Sequence, residues 1–108
     1  MSEHASKILR TVPREKAFYF FTSIGNYTGI SASSLKEFME KINEVNVKSL
    51  EFHLQRRDFE KWIAETLEDK ELANEIESLR IQNYTGNLLK ERLYNVLAKH
   101  YEKLTRQL

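Results

Sequence analysis

The sequence predicts a mainly helical α+β domain, a short N-terminal β-hairpin followed by four or five packed helices. Three observations carry this. The run Ala17-Phe18-Tyr19-Phe20-Phe21-Thr22 ahead of Gly25-Asn26 has strand and turn chemistry. From Ser34 onward, apolar residues recur at three- and four-residue steps, the period of a helix with one buried face. The chain has 108 residues, room for one core.

Residues 1–16 are polar and reach Pro13, which predicts a flexible arm outside the core, made basic by Lys7, Arg10, Arg14 and Lys16. Residues 17–108 are then the single helical domain. The hairpin pairs the aromatic run with Tyr27-Thr28-Gly29-Ile30-Ser31-Ala32 across the Gly25-Asn26 turn. A helix from Pro13, with Ala17, Phe20, Phe21 and Ile24 on one face and a stop at Gly25, is the competing reading of so short a segment.

Ser34 and Glu37 have the spacing of a capping box, and Leu35, Phe38, Met39, Ile42 and Val45 follow as the buried face of a helix of about three turns. Asn46 restarts the pattern as an N-cap, with Val47, Leu50 and Leu54 inward and Phe52 or His53 at the edge of the stripe. Asp58 is read as a further N-cap after a kink or tight turn, because Phe59, Trp62, Ile63, Thr66 and Leu67 fall in a shifted register. Asp69 caps a helix carrying Leu72, Ala73, Ile76 and Leu79, closed by residues 80–82. Thr85 opens a long last helix whose stripe is Leu89, Leu93, Val96, Leu97, Tyr101, Leu104 and Leu108. That stripe is expected to overrun its own core and to invite a second copy or a protein partner. Asn-Tyr-Thr-Gly occurs at residues 26–29 and again at 83–86 with unlike flanks, so both copies are read as turn and capping chemistry rather than a repeat.

Composition narrows the chemistry. Hydrophobic residues make up 41% and charged residues 31%, the balance of a folding chain. The absence of cysteine removes disulfides, thiolate metal sites and cysteine nucleophiles. Seventeen Lys and Arg against 16 Asp and Glu leave +1, which makes no overall electrostatic case for nucleic acid or a membrane surface. No apolar run approaches the roughly 18 residues of a membrane span, and the start lacks a signal-peptide pattern, so a cytoplasmic protein with no membrane partner is expected. Abundant Glu and Lys beside only three Gln hint at a thermophile, against which several Asn weigh. Charge is nevertheless uneven: residues 51–79 carry four basic and nine acidic side chains, and residues 80–108 six basic and two acidic. Packing of the last helix beside the acidic middle accounts for this more simply than a phosphate-binding stripe of Lys99, Lys103 and Arg106.

The densest cluster is His53, Arg56, Arg57, Asp58 and Trp62, a titratable ring, two guanidinium groups, a carboxylate and the only tryptophan. These residue types suit an anion or ligand pocket, since arginine presents a fork of donors and histidine switches charge near neutrality. They equally suit a helix junction at which Trp62 fills the core and the polar groups satisfy one another. No metal is expected, because His4, His53 and His100 lie far apart and show no ligand spacing. No cofactor is expected either, as neither a nucleophile elbow nor a Gly-rich phosphate loop occurs. The aromatics of the N-terminal run are read as core rather than as a platform for bases.

The segments Ala17-Phe18-Tyr19-Phe20-Phe21, Ile24-Gly25-Asn26-Tyr27-Thr28-Gly29, Ala32 with Ser34-Leu35 and Glu37-Phe38, Ser49-Leu50-Glu51-Phe52-His53, Arg56, Asp58-Phe59 with Trp62-Ile63, and Asp69 with Glu71-Leu72-Ala73 together resemble a family of small, largely archaeal proteins known only as a domain of unknown function. The resemblance covers about residues 17 to 79. It implies that the His, Arg, Asp and Trp positions form the family's signature, and it brings no reaction. In that family a glycine often precedes the Asp-Phe pair, where this chain has Arg57.

The expected function is a non-catalytic binding or adaptor module, working through protein contacts at the His53 to Trp62 junction and the last helix. The alternative is a nucleic-acid-associated protein using the basic arm and Lys99, Lys103 and Arg106, with weak binding at most. A small enzyme or ligand pocket around His53 is the third reading.

Overall fold

The computed structural model describes residues 2–108. Its aromatic run is a strand. β1 (Phe18–Ser23) pairs antiparallel with β2 (Asn26–Ala32), with Phe18 opposite Ala32 and Phe21 opposite Tyr27. Gly25 turns the chain at φ +78°, a conformation open to glycine at no steric cost. The ladder is irregular between Tyr19 and Phe21, where β2 holds extra residues and Gly29 sits at φ +85°. The Thr28 hydroxyl fills that gap: it donates to the Phe20 carbonyl at 2.7 Å and accepts from the Ile30 N–H at 3.1 Å. Phe18 and Phe20 point inward, as a period of two requires. The helix considered from Pro13 shrinks to one 3₁₀ turn, Arg14–Lys16.

The first correction concerns residues 1–16. They are not an arm outside the core: α1 (Glu3–Ile8) is capped by Ser2, and Ala5, Ile8 and Val12 are buried. The apolar side chains are too sparse to show a period, yet each meets the core. The basic residues anchor the segment: Lys7 pairs with Glu68 at 3.0 Å and Arg10 donates to the Thr66 carbonyl at 2.7 Å.

Among the described residues five α-helices follow the hairpin. α2 (Leu35–Ile42) starts as expected, the Ser34 hydroxyl accepting from the Glu37 N–H at 3.2 Å, while Glu37 reaches back to the Ser33 N–H. α3 (Val47–Arg56) is capped by Asn46. Arg57 then adopts the left-handed conformation, φ +65°, and α4 (Asp58–Trp62) sets off in a new direction. The expected Asp58 cap is corrected here: no side chain caps α4, because Asp58 is turned back toward α3. A π-helical turn over Ile63–Leu67 widens the helix and ends on Glu68 at φ +65°. α5 (Lys70–Ile81) is capped by Asp69, and α6 (Gly86–Arg106) spans 21 residues, about 30 Å at 1.5 Å per residue.

Thr85 caps nothing with its side chain; the first N–H of α6, on Gly86, donates instead to the Glu51 carboxylate of α3 at 2.8 Å. The two Asn-Tyr-Thr-Gly copies also part company. Residues 26–29 lie in β2, whereas residues 83–85 join α5 to α6 and Gly86 is the first residue of α6, with Asn83 and Gly86 at positive φ. The stripe of α6 closes on its own domain through Leu89, Leu93, Leu97, His100 and Leu104. Val96 and Tyr101 are half-buried and Leu108 is exposed, so the uncovered stripe expected of a dimer or partner interface is absent from this helix among the described residues. No helix of the described residues is long and apolar enough to cross a membrane.

Candidate functional site

The hairpin lies across α3, and between them opens a cleft of about 350 Å³ whose lining includes Phe18, Phe21, Ile24, Phe52, His53 and Arg56. His53 forms part of its floor. The helix period carries the ring inward beside Leu50 and Leu54, under β1. Its Nε2 stands 2.8 Å from the Phe21 backbone nitrogen, which has only a hydrogen to offer, so Nε2 accepts and Nδ1 carries the ring hydrogen. Nδ1 donates to Asp58 Oδ2 at 2.8 Å. Asp58 reaches it because the left-handed Arg57 folds the chain back within one residue.

Burial pushes the His53 pKa below its ordinary value, outweighing Asp58, which pulls it upward, while Arg56 adds to the lowering. The ring is therefore neutral at neutral pH. Both nitrogens are occupied, and the lone pair on Nε2 faces an amide rather than the cleft. The arrangement ties β1, α3 and the start of α4 together, and it leaves no ring nitrogen directed at a ligand.

Of the five candidate residues, the structure gathers His53, Arg56 and Asp58 at the cleft and parts the other two from it. Arg56 donates from Nε to Asp58 Oδ2 at 3.1 Å and lays its guanidinium over the Phe52 ring, 5.1 Å from the centroid. Arg57 spends its backbone on the turn and leaves its side chain in solvent rather than beside His53. Trp62 is buried in the core against Phe18 and Phe38, with its indole N–H donating to the Lys16 carbonyl at 2.7 Å. It is a packing residue.

The hairpin tip was not among the expected site residues. Ile24 is 83% exposed and Tyr27 45%, beside the half-buried Phe21 and Phe52. The one signal in the sequence is the apolar Ile24 immediately before a Gly-Asn turn, where polar residues normally stand.

The basic candidates on α6 are mostly engaged. Lys103 pairs with Glu71 at 2.6 Å and Arg106 with Glu102, so Lys99 alone of the three has no ion pair among the described residues. Lys90 of the same helix donates to the Val45 carbonyl at 2.8 Å, at the end of α2. The second site that sequence reasoning passed over is His100, buried against Asp69. Burial opposes the charged form of this ring, yet the hydrogen bond and charge of Asp69 prevail and raise its pKa. For Asp69, burial is likewise overcome, by His100 and the Leu72 N–H, and the carboxyl is held low.

A family model described as "Family of unknown function (DUF5752)" matches residues 1–98. No curated protein and no solved structure matches the chain.

Proposed function

The chain belongs to the DUF5752 family, whose function is unknown, and we propose that it is a protein-binding module that acts by contact rather than by catalysis. The occupant of the cleft between the hairpin and α3 is an acidic segment of a partner protein bearing an apolar anchor side chain. One observation carries the reading: Ile24, 83% exposed, stands at the mouth of a cleft walled by Phe21 and Phe52. A single exposed apolar residue is ordinary on a surface, but Ile24 shares one cleft with Phe21 and Phe52, and an apolar cluster open to water marks a contact surface. The acidic character of the segment follows from the rim. Arg56 uses Nε on Asp58 and has its other guanidinium nitrogens left for a carboxylate at the cleft.

A displayed library of random peptides, panned on the immobilised chain, tests the reading. Enrichment of peptides with Asp or Glu flanking a large apolar residue is expected, lost on Ile24→Glu and on Arg56→Glu while the circular dichroism spectrum and thermal midpoint hold. An enriched set indifferent to both substitutions would place binding elsewhere and overturn the proposal.

A further inference from the structure

The His100 and Asp69 pair lies away from the cleft and has no part in the function proposed for it. Both residues are 3% exposed, and His100 Nε2 stands 2.6 Å from Asp69 Oδ2. The other oxygen, Oδ1, accepts the Leu72 N–H at 3.1 Å, so the start of α5 clamps the carboxylate in place. An ionised carboxylate only accepts, so Nε2 carries a hydrogen and Nδ1 is the ring atom left to act, releasing to solvent any proton it holds when an ion takes its lone pair. Nδ1 makes no hydrogen bond among the described residues and faces Glu75 Oε1 at 3.8 Å. Glu71 and Glu75 stand four apart on α5 and share a face. A carboxylate oxygen from each and a ring nitrogen of His100 all lie within 4.8 Å of one another.

We propose that Glu71, Glu75 and His100 form a binding site for a divalent first-row transition-metal ion, zinc being the fit for the donor set, with Asp69 as the positioning residue that holds the imidazole. One nitrogen donor favours such an ion over magnesium or calcium, which take oxygen ligands. Three protein ligands leave a position for water. A carboxylate on the far nitrogen of a ligating histidine fixes its tautomer and its aim, which is the relation Asp69 has to His100. Donors around a tetrahedral ion stand about 3.4 Å apart, so the two carboxylates close inward by about 1 Å on binding. They are free to do so, with the Glu71 side chain 58% and the Glu75 side chain 44% exposed. Lys103, 2.6 Å from Glu71, is the internal competitor: its ammonium balances the charge that the ion takes over.

The test is calorimetric titration of zinc chloride into the metal-stripped full chain, with the thermal midpoint as a second readout. One ion per chain is expected. Glu75→Gln, on a side chain 44% exposed, weakens binding about tenfold or more, and Asp69→Asn weakens it about ten- to a hundredfold. Lys103→Ala tightens it several-fold, a gain that general damage to the fold would not produce. His4→Ala leaves it unchanged. No saturable binding, binding undiminished by Glu75→Gln, or binding lost only with His4→Ala would each overturn the proposal and leave the His100 and Asp69 pair as a lock between α5 and α6.

Discussion

At the scale of single residues, Arg57 shows how a backbone conformation builds a site. A non-glycine residue at φ +65° stores about 1 kcal/mol of strain, and here that strain turns α3 into α4 tightly enough to put Asp58 under His53. Arg57→Gly is expected to raise stability by up to about 1 kcal/mol while keeping the turn, measured by urea denaturation. A loss instead would mean that the Arg57 side chain contributes more than its backbone costs. His53 gives a pH dependence of defined sign. Its folded pKa lies below the ordinary value of 6.5, so the unfolded chain takes up the proton first as pH falls. Its contribution is complete above pH 6.5 and is lost progressively below it. The comparison is with His53→Gln, whose amide can serve the Phe21 N–H and Asp58 at any pH: the difference in stability between the two chains should shrink or reverse as pH drops below 6.5. A difference flat across that range would mean that the ring is already charged in the folded chain.

At the scale of elements, the helix caps at Ser34, Asn46 and Asp69 were legible because a cap is a local contract between a side-chain oxygen and an N–H two or three residues on. Caps made across the fold were not. Glu51 takes the place expected of Thr85, and Lys90 serves carbonyls near the end of α2, because the partners are 35 and 45 residues apart. The flexible arm expected over residues 1–16 failed, and α1 went unforeseen, for a related reason. Its Ala5 and Ile8 are too few to show a period, and only the surface they meet reveals their burial. Ile8→Ala should accordingly cost about 2–5 kcal/mol in urea denaturation, the cost of a cavity in a core. A cost near zero is what a frayed arm would give.

At the scale of the whole molecule, the acidic middle and the basic end meet as α5 packs on α6. Lys103 with Glu71 spans the two, while Arg80 at the end of α5 faces Glu60 at 3.6 Å in a mostly buried pair. Glu60 has its pKa raised, chiefly by burial, although Arg80 pulls the other way. Such attraction is screened by salt, so moving from about 0.02 M to about 0.5 M sodium chloride should lower stability by on the order of 1 kcal/mol, read as an earlier urea midpoint. An unchanged or later midpoint would show that the uneven charge has no part in holding the helices together.

Period, caps and turn residues determined the class of this protein and the start of nearly every helix, since each is a matter of neighbours within four residues, and they favoured its hairpin over a helix without deciding between them. The same locality put His53, Arg56 and Asp58 in one cluster before any fold was known. The tertiary structure alone decided what the cluster does: it turned both nitrogens of His53 inward, sent Trp62 into the core and left Ile24 in water at the cleft mouth. It also brought His100 to Glu71 and Glu75, which sit on a different helix about 25 residues earlier. Burial and long-range pairing depend on which surfaces face each other across the core, and that relation has no period along the chain.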